Sequence, residues 1–370
     1  MENLVSAGNF DQRKSIKSEV DMKILITGNM GYIGPCVVRQ LRASYPDATL
    51  LGFDMGFFAN CLTNAPILPE CRVDIQYFAD VRNFPEHLLP DLDAIVHLAA
   101  ISNDPMGQAF EDATYGINHR ASIELAKKAK AVRVGTFVYA SSCSMYGYAE
   151  GDAKSEDSPL NPLTAYAKSK VSSEIDLRQL ADNTFIVTCL RFSTACGMSD
   201  RLRLDLVLND FVAGAIASRK INILSDGSPW RPLINVKDMA RAIEWAIRRE
   251  RASGGDFLAV NVGSDEWNYQ VQDLAEAVAK VIPNVEISIN KNAQPDRRSY
   301  KVNFNLFRKM APGYQPQYDL ITTVKELIDG LVGMKFKDAD YHNSNLMRIK
   351  VLTKLRQAGL ITEKLEWVNN

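Results

Sequence analysis

The chain is poor in the side chains that build metal sites and disulfide frameworks. Only four of its 370 residues are histidine and six are cysteine, and no two cysteines form a Cys-x-x-Cys pair. This scatter argues against a zinc site and against a disulfide scaffold. Irregularly spaced cysteines in apolar runs are typical of reduced thiols, so we expect a cytoplasmic protein without a bound metal.

The chain also lacks an excess of charge and a long apolar run. Its 43 basic side chains are balanced by 44 acidic ones, which leaves a net charge of -1 and no basic field for nucleic acid. No apolar run approaches the roughly 20 residues of a membrane-spanning helix, and no secretory signal opens the sequence. We expect a soluble globular protein that binds neither nucleic acid nor membrane, because a hydrophobic content of 46% can build a large core.

What is present begins with a strand, a glycine-rich turn and a helix. Residues 23–27 are an apolar, β-branched run, which is followed by Gly28, Gly31 and Gly34 and then by apolar side chains at helical spacing. A helix that starts after such a turn directs its first N–H groups at a ligand above the strand. The spacing is Gly-x-x-Gly-x-x-Gly rather than the commoner Gly-x-Gly-x-x-Gly, so the turn alone is an incomplete match.

A carboxylate completes this pattern. Asp54 ends the next apolar run, roughly twenty residues after the last glycine, where a ribose-binding acidic residue is expected. The neighbouring Met55 and Gly56 offer no arginine that would accept a 2′-phosphate. The sequence therefore predicts a dinucleotide site for NAD rather than NADP. Farther along, Asp80 and Val81 follow another strand-like run, where they either cap an adenine edge or form an ordinary strand end.

Strand-like apolar runs alternate with helical patterns over most of the chain. This alternation is typical of a parallel sheet covered on both faces, so the predicted fold is α/β: a Rossmann-type doubly wound parallel sheet with a smaller, discontinuous C-terminal α/β substrate domain. The predicted strands are 22–28, 49–54, 74–79, 94–100, 136–142, 184–192, 257–263 and 285–289. The predicted helices are 32–44, about 108–131, 164–181, 236–250, 269–281 and about 319–333, with helical spacing also at 206–215 and 346–358.

The predicted domain organisation has four parts, and the sequence leaves open the role of the last one, a C-terminal tail. The tail either packs on the body of the protein or offers a surface to a partner. The parts are a flexible extension (1–21), a dinucleotide-binding domain (22–197, with 233–263 returning to it), a substrate domain (198–232 and 264–334) and a C-terminal helical tail (335–370).

A serine, a tyrosine and a lysine are the candidate catalytic groups. Ser142 ends the strand 136–142, and Tyr166 and Lys170 lie one turn apart on the following helix. Tyrosine and lysine at this spacing also occur on many solvent-exposed helices, but their place after a nucleotide-binding half favours a catalytic pair. A phenol with a pKa of about 10 needs a shift of about 3 units, or roughly 4 kcal/mol, to act as a base near pH 7. A neighbouring ammonium shifts the pKa in that direction.

Taken together, these motifs resemble the extended short-chain dehydrogenase/reductases that act on nucleotide sugars. The resemblance runs from about residue 22 to about residue 331, and its motifs occur in order at family-like spacings. They are Thr27-Gly28 to Gly34, Asp54, Asp80-Val81, His97-Leu98-Ala99-Ala100, Asn118, Ser141-Ser142 before Met145-Tyr146-Gly147, and Tyr166-x-x-x-Lys170.

The resemblance implies roles for individual residues. Ser142 is implied to hydrogen-bond the reacting sugar oxygen, Tyr166 to act as acid and base, and Lys170 to anchor the nicotinamide ribose. The implied cofactor-binding residues are Gly28, Met30, Gly31, Tyr32, Ile33, Gly34, Asp54, Asp80, Val81, Leu98, Ala99, Ala100, Asn118 and Lys170. The implied substrate-binding residues are Ser142, Ser144, Thr194, Arg231, Arg297 and Arg298, with the arginines placed at the diphosphate.

The function implied by the resemblance is an NAD-dependent nucleotide-sugar epimerase that acts at C4 through a transient keto-sugar. The alternatives are a 4-keto-sugar reductase that consumes NAD(P)H and a non-catalytic dinucleotide sensor. The resemblance also implies a homodimer, for which Ile123, Ala126, Val171 and Ile175 could supply contacts unless they are buried against the sheet. Thr194 and Asn235 replace residues that are common near the substrate in this family, which leaves the sugar and its base unassigned.

A dehydratase and an epimerase at C3 or C5 are not expected. Related dehydratases carry Asp and Glu directly after the catalytic serine or threonine, whereas this chain has Cys143 and Ser144 there. Relatives that epimerise at C3 and C5 use a cysteine two residues after the serine. Cys143 is only one residue after it, and in an extended segment we expect its thiol to point away from the sugar.

Overall fold

Seven parallel strands form the centre of the protein. A computed structural model describes residues 22–63, 65–149, 151–293 and 298–368. The sheet order is β10-β6-β5-β4-β1-β2-β3, so the predicted doubly wound parallel sheet is confirmed. The strands of the chain are β1 Lys23–Thr27, β2 Thr49–Asp54, β3 Ile75–Phe78, β4 Ala94–His97, β5 Thr136–Ser142, β6 Ile186–Phe192, β7 Thr194–Cys196, β8 Lys220–Ile223, β9 Trp230–Asn235, β10 Phe257–Val262, β11 Asn268–Gln270 and β12 Glu286–Ile289.

Helices cover both faces of the sheet, and apolar side chains from both layers pack against it. The α-helices are α1 Gly34–Ser44, α2 Asp104–Ala109, α3 Glu111–Tyr115, α4 Ser122–Ala131, α5 Ala165–Leu180, α6 Val207–Ser218, α7 Val236–Arg248, α8 Val271–Val281, α9 Asn305–Met310, α10 Leu320–Gly333 and α11 Arg348–Gln357. Among the residues described above, no helix is both long enough and apolar enough to cross a membrane.

The register of the sheet brings the chemically important strand ends to one edge. Thr27 at the end of β1 pairs with Phe53 of β2 and with His97 at the end of β4. Ser142 at the end of β5 pairs with Phe192 of β6. The order of the strands reverses between β1 and β4, and ligands of open α/β sheets bind in the crevice at such a reversal.

Two smaller sheets lie toward the C-terminal half. One has the order β11-β9-β7 and the other pairs β12 with β8. Strand β9 begins at Trp230, inside the stretch 225–232 that the composition favours as a turn. The turn is limited to the residues around Gly227, which has a positive φ, because backbone pairing with β11 and β7 extends the chain from Trp230. The division into domains stays a prediction.

The helix predicted over about 108–131 is interrupted and begins earlier. The side chain of Asn103 accepts a hydrogen bond from the Met106 N–H at 2.9 Å and starts α2. Phe110 then leaves helical geometry (φ -134°), and residues 116–121 form a π-helical turn before α4. The irregular turn lets the Asn118 side chain reach the main chain of Ile101, a tertiary contact that periodicity does not report.

Two of the four residues suggested for a dimer contact are part of the core. Ile123 and Ala126 of α4 are buried in the cluster beneath the sheet, so the competing interpretation is correct for them. Ile175 on α5 is 55% exposed.

The tail packs on the body of the protein, and its predicted helix is confirmed as α11. Leu352 and Leu365 are fully buried in the same apolar cluster as Phe110 and Met106. Of the two alternatives for the tail, packing on the body of the protein is therefore the one that the described residues show. The predicted extension 1–21 lies outside the described residues.

Candidate active site

A cavity of about 670 Å³ opens at the carboxyl edge of the large sheet. Its walls come from the turn after β1, the ends of β2, β4 and β5, helix α5, and segments of the C-terminal half. The predicted residues that line it are Gly28, Gly31, Tyr32, Ile33, Asp54, Asp80, Val81, Leu98, Ala99, Ala100, Ser142, Ser144, Tyr166, Lys170, Thr194, Arg231 and Arg298.

The glycine turn is shaped by close backbone contacts. Gly28 has a φ of +74°, and a Cβ there would lie 2.6 Å from the Ala99 nitrogen. A Cβ on Gly34 would lie 2.1 Å from the Asn29 carbonyl oxygen, which is how α1 can start directly under the turn. These contacts leave a narrow cradle at the N-terminus of α1, where backbone N–H groups and the helix dipole favour a phosphate.

Asp54 closes the turn from the neighbouring strand. One carboxylate oxygen accepts the Gly56 N–H at 2.7 Å and the other accepts the Met30 N–H at 3.1 Å. Burial raises the pKa of Asp54, and the two main-chain donors oppose that shift. Each oxygen keeps a further lone pair toward the cavity, which suits the two hydroxyls of a ribose. The donor set of this turn therefore fits an adenosine diphosphate, the shared part of dinucleotide cofactors.

Asp80 is engaged by its own neighbour. Its carboxylate accepts the Arg82 N–H at 2.9 Å and the Arg82 guanidinium at 2.8 and 3.0 Å. The capped turn that results puts both Asp80 and Val81 in the cavity wall. Asp80 can therefore cap its own turn at the strand end and also contact an adenine, so the two interpretations are compatible.

Ser142, Tyr166 and Lys170 converge on the centre of the cavity. Thr164 caps α5 by accepting the Ala167 N–H at 3.1 Å, which places Tyr166 in the first turn. The Ser142 hydroxyl donates to the Ser144 hydroxyl at 2.9 Å and lies near enough to the Tyr166 phenol to lower its pKa. The Lys170 ammonium donates to the Ala140 carbonyl at 2.6 Å and lies 5.8 Å from the centre of the Tyr166 ring.

The protein alone does not prepare the phenol for ionisation. Burial raises the pKa of Tyr166 to about 12, whereas the neighbouring Ser142 hydroxyl and the Arg203 charge act to lower it. Burial also lowers the pKa of Lys170 to about 7. To act as a base near pH 7, the Tyr166 phenol therefore needs its pKa lowered by about 5 units in this site. The shift of about 3 units counted from the reference pKa is too small.

A buried ion pair supports the loop that carries Ser142. Glu174 of α5 accepts the Ser141 hydroxyl at 2.6 Å and pairs with Arg191 at 2.7 Å. Arg191 also donates to the Tyr146 hydroxyl at 3.1 Å, beyond the serine loop. One network thus connects α5, β6 and both sides of the loop, so Ser142 and Tyr166 are held in a common frame.

The Cys143 thiol points away from the cavity. It is fully buried and donates to the Arg191 carbonyl oxygen at 3.0 Å. Burial raises its pKa well above the usual range. The thiol points away from the cavity as expected, but the expected extended segment is wrong, because Cys143–Tyr146 form a 3-10 turn capped by Ser142. Ser142 and Ser144, on either side of Cys143, line the cavity.

Several predicted residues lie behind the wall or outside the described residues. Met30 contributes its N–H to Asp54 rather than a side chain to the cavity, and Gly34 serves packing. Asn118 is fully buried and joins the Ile101 main chain to Ser169. Asn235 caps α7 through the Lys237 N–H and is likewise buried. Arg297 lies outside the described residues.

A cluster of charged residues in the wall was not predicted from the sequence. Arg203 pairs with Asp205 at 2.8 Å and donates to Ser102 at 2.8 Å, while Asn103 donates to Asp205 at 2.8 Å. Two features of the sequence could have indicated this cluster. Arg203 and Asp205 are charged residues inside an apolar run after β6, and Ser102 and Asn103 belong to a polar stretch after β4.

Asp104 is a second carboxylate in this wall. It accepts the Thr164 hydroxyl at 2.6 Å and an Arg298 N–H at 3.1 Å. The ion pair joins Asp104 at the start of α2 to Arg298, and both residues line the cavity. Three residues of the tail, which were not predicted either, also line the cavity: His342, Met347 and Arg348.

Comparison with known proteins gives one family and many related enzymes. The model of the NAD dependent epimerase/dehydratase family matches residues 24–263. An uncharacterized UDP-glucose epimerase of Bacillus subtilis is 27% identical over 257 residues, which cover 66% of this chain and 78% of that protein. A dTDP-4-dehydro-6-deoxy-D-allose reductase of Streptomyces bikiniensis is 28% identical over 276 residues, covering 71% of this chain and 82% of the reductase.

The fold is also found among solved structures. An NAD-dependent NDP-hexosamine 5,6-dehydratase from tunicamycin biosynthesis superposes with a TM-score of 0.72 at 23% identity. The similarity covers 86% of this chain and 99% of the dehydratase. Epimerases, reductases and dehydratases therefore share this architecture, and the choice among them rests on the residues at the site.

Proposed function

Because the chain belongs to the NAD-dependent epimerase/dehydratase family, we propose that it is a nucleotide-sugar epimerase that inverts the carbinol at C4. NAD is the cofactor of that family, and the relatives named above act on UDP- and dTDP-linked sugars. In this proposal the sugar is oxidised to a keto-sugar, turns in the cavity, and is reduced on its opposite face.

The observation that carries the proposal is that the further acids and bases among the described cavity residues already have partners within the protein. His342, for example, is hydrogen-bonded to Asp210 at 2.8 Å. Cys143 is buried away from the cavity. Asp104 and Asp205 are bound in ion pairs with Arg298 and Arg203. Elimination of water needs a free acid and a base besides the redox residues, whereas inversion at C4 needs only a proton acceptor at the carbinol oxygen. The contacts at the site support the simpler chemistry.

Each catalytic group then has one task. Bound NAD supplies the reversible two-electron oxidation. Tyr166 takes the proton of the C4 hydroxyl and later returns it, and Ser142 hydrogen-bonds the same oxygen and keeps it in line with the phenol. Lys170, held by the Ala140 carbonyl at 2.6 Å, stabilises the phenolate by its charge.

The substrate's diphosphate is assigned to arginines of the C-terminal half. Arg231 on β9 and Arg298 both line the cavity. Guanidinium groups suit a diphosphate because they form paired, charge-assisted hydrogen bonds. Since Arg298 is bound to Asp104 in this structure, the diphosphate exchanges with that carboxylate on binding.

The test is turnover in deuterium oxide with UDP- and dTDP-sugars, followed by mass spectrometry and NMR of the products. Epimerisation at C4 gives product without solvent deuterium in the sugar ring and without net consumption of NADH. Deuterium at C3 or C5 would contradict the proposal. Stoichiometric consumption of NAD(P)H by a keto-sugar would instead indicate a reductase. Tyr166→Phe is the control, because it should fold and bind NAD but lose the chemical step.

A sensor is the remaining alternative. It predicts tight binding of NAD and of a partner without turnover of any nucleotide sugar. The retained tyrosine–lysine pair at the centre of the cavity speaks against it, because binding alone requires neither group.

A further inference from the structure

The C-terminal segment 341–368 is outside the residues matched by the family and lies across the dinucleotide end of the cavity. The Trp367 indole N–H donates to the Met55 carbonyl at 2.8 Å, and its ring centre is 5.2 Å from that of Phe57. Arg82 donates to the Lys364 carbonyl at 2.6 Å. The segment is therefore attached to the loop that follows Asp54 and to the turn that follows Asp80.

One side chain of this segment is buried in the cavity wall. Arg348, in the first turn of α11, is only 1% exposed and lines the cavity. Its guanidinium lies 4.8 Å from the centre of the Phe58 ring. It donates to the carbonyl oxygens of Arg201 at 2.8 Å and of Asn345 at 3.3 Å. These partners fix the group but do not neutralise it.

Within the part of the chain that the structure describes, Arg348 has no ion pair of its own: the Asp205 carboxylate, whose charge acts on it, is paired with Arg203. Arg201 forms an ion pair with Glu70 and Arg203 forms one with Asp205, at 2.6 and 2.8 Å. Among the described residues, Arg348 forms hydrogen bonds only with main-chain oxygens. Burial lowers its pKa to about 10, which still leaves it charged at neutral pH. A buried cation of this kind is costly unless an anion joins it.

An anion-binding element lies beside this cation. Ser199 donates to the Tyr32 carbonyl at 2.6 Å and accepts the Arg201 N–H at 3.2 Å. The segment that holds Arg348 in place is thereby attached to the glycine turn that precedes α1. Gly31, Tyr32 and Ile33 of that turn line the same cavity as Arg348. The residues at the N-terminus of α1 and the guanidinium therefore line one cavity.

We propose that Arg348 is a diphosphate-binding residue, supplied by the C-terminal segment, that completes the anion site at the N-terminus of α1. The favoured ligand is the diphosphate of the dinucleotide, because Phe58 beneath the guanidinium belongs to the loop after Asp54. The diphosphate of a nucleotide sugar has the same chemistry and enters the same cavity. The proposal concerns binding alone, so it stands or fails independently of the reaction at C4.

The experiment compares Arg348→Met and Arg348→Lys with wild type by calorimetry, using adenosine, ADP, NAD and UDP as ligands. We expect Arg348→Met to weaken ADP and NAD about tenfold or more and to leave adenosine unchanged, since only the charge-assisted contact is lost. Lysine should restore part of the affinity. The matched control is Arg356→Met on the same helix, because Arg356 pairs with Glu363 and does not line the cavity.

Three outcomes would overturn the proposal. Unchanged affinity of Arg348→Met for ADP, NAD and UDP would show that the guanidinium serves packing alone. An equal loss for adenosine and ADP would show a general disturbance of the site. A loss confined to UDP would move the contact to the substrate's diphosphate and refute the assignment to the dinucleotide. If Arg348→Met does not fold, the test uses Arg348→Lys. The ratio of its affinity for ADP to its affinity for adenosine is then compared with the same ratio in wild type, and an equal ratio would overturn the proposal.

Discussion

Removal of the Lys170 charge should move the ionisation of Tyr166 by a measurable amount. The substitution is Lys170→Met, which keeps most of the volume of a side chain that is 3% exposed. In the wild type, burial raises the pKa of Tyr166 to about 12, so the phenolate needs about 7 kcal/mol of stabilisation to form at pH 7. The ammonium is one of the groups that can provide it.

The size of the effect follows from the distance. Nζ of Lys170 lies 5.8 Å from the centre of the Tyr166 ring. A unit charge at about 6 Å contributes about 3 kcal/mol at an effective dielectric constant of about 20, which is about 2 pKa units. By the same coupling the phenolate raises the pKa of Lys170, which burial lowers to about 7, so the ammonium acts on Tyr166 once bound NAD has brought the pKa of the phenol into the range where Lys170 is protonated. We expect Lys170→Met to raise the pKa of Tyr166 in the NAD complex by about 2 units.

The measurement is an ultraviolet titration of tyrosinate in the NAD complex, with the spectrum of Tyr166→Phe subtracted. Since the base must be deprotonated, activity falls as pH drops through this pKa, and the acid limb of the pH–rate profile should move to higher pH in the variant. Lys168→Met is the control, because Lys168 is exposed on the same helix. A tyrosinate pKa that is equal in Lys170→Met and wild type would refute the electrostatic role.

Three further predictions concern other parts of the molecule. Asp54→Asn should weaken the binding of NAD about tenfold and reduce the discrimination against NADP in equilibrium binding, since a charged acceptor is replaced by a neutral amide. A wild-type protein that prefers NADP would contradict the assignment of Asp54 to the ribose of NAD. Cys143→Ser should keep most of the turnover, because the thiol faces the Arg191 carbonyl, and its loss would indicate acid–base chemistry at Cys143. We propose a homodimer, and Ile175→Glu should then shift sedimentation from dimer to monomer, whereas a monomeric wild type at micromolar concentration would refute the dimer.

The parts of the site that could be predicted are those specified by local sequence. Gly28 and Asp54 follow strands whose apolar runs are continuous, so their positions at the sheet edge were predictable from order and spacing. Tyr166 and Lys170 share a helix face for the same reason. The orientation of Cys143 agrees with the expectation but not for the expected reason, because the residue begins a 3-10 turn and its thiol is held by the distant Arg191 carbonyl.

The parts that were missed depend on contacts between distant segments. The helical spacing of 346–358 predicts α11, but nothing local places Arg348 beside Arg201. Asn118 matches a family motif, yet the π-helical turn directs it to Ile101 rather than to the cavity. Arg203 is an ordinary surface residue by composition, and only the fold buries it beside Ser102. Such placements result from packing, which a periodicity cannot encode.

The bond between Trp367 and Met55 joins residues 312 positions apart, and this separation has a consequence for biosynthesis. At 5–20 residues per second, the ribosome completes the last wall of the cavity roughly 15–60 s after the loop that it covers. During that interval the nascent chain displays the glycine turn and the loop after Asp54 without their C-terminal cover. Closing so long a loop costs conformational entropy, and this cost is offset only when the contacts at the ends of the loop form. A ligand already bound to the nascent sheet would therefore act as a template on which the C-terminal segment docks last.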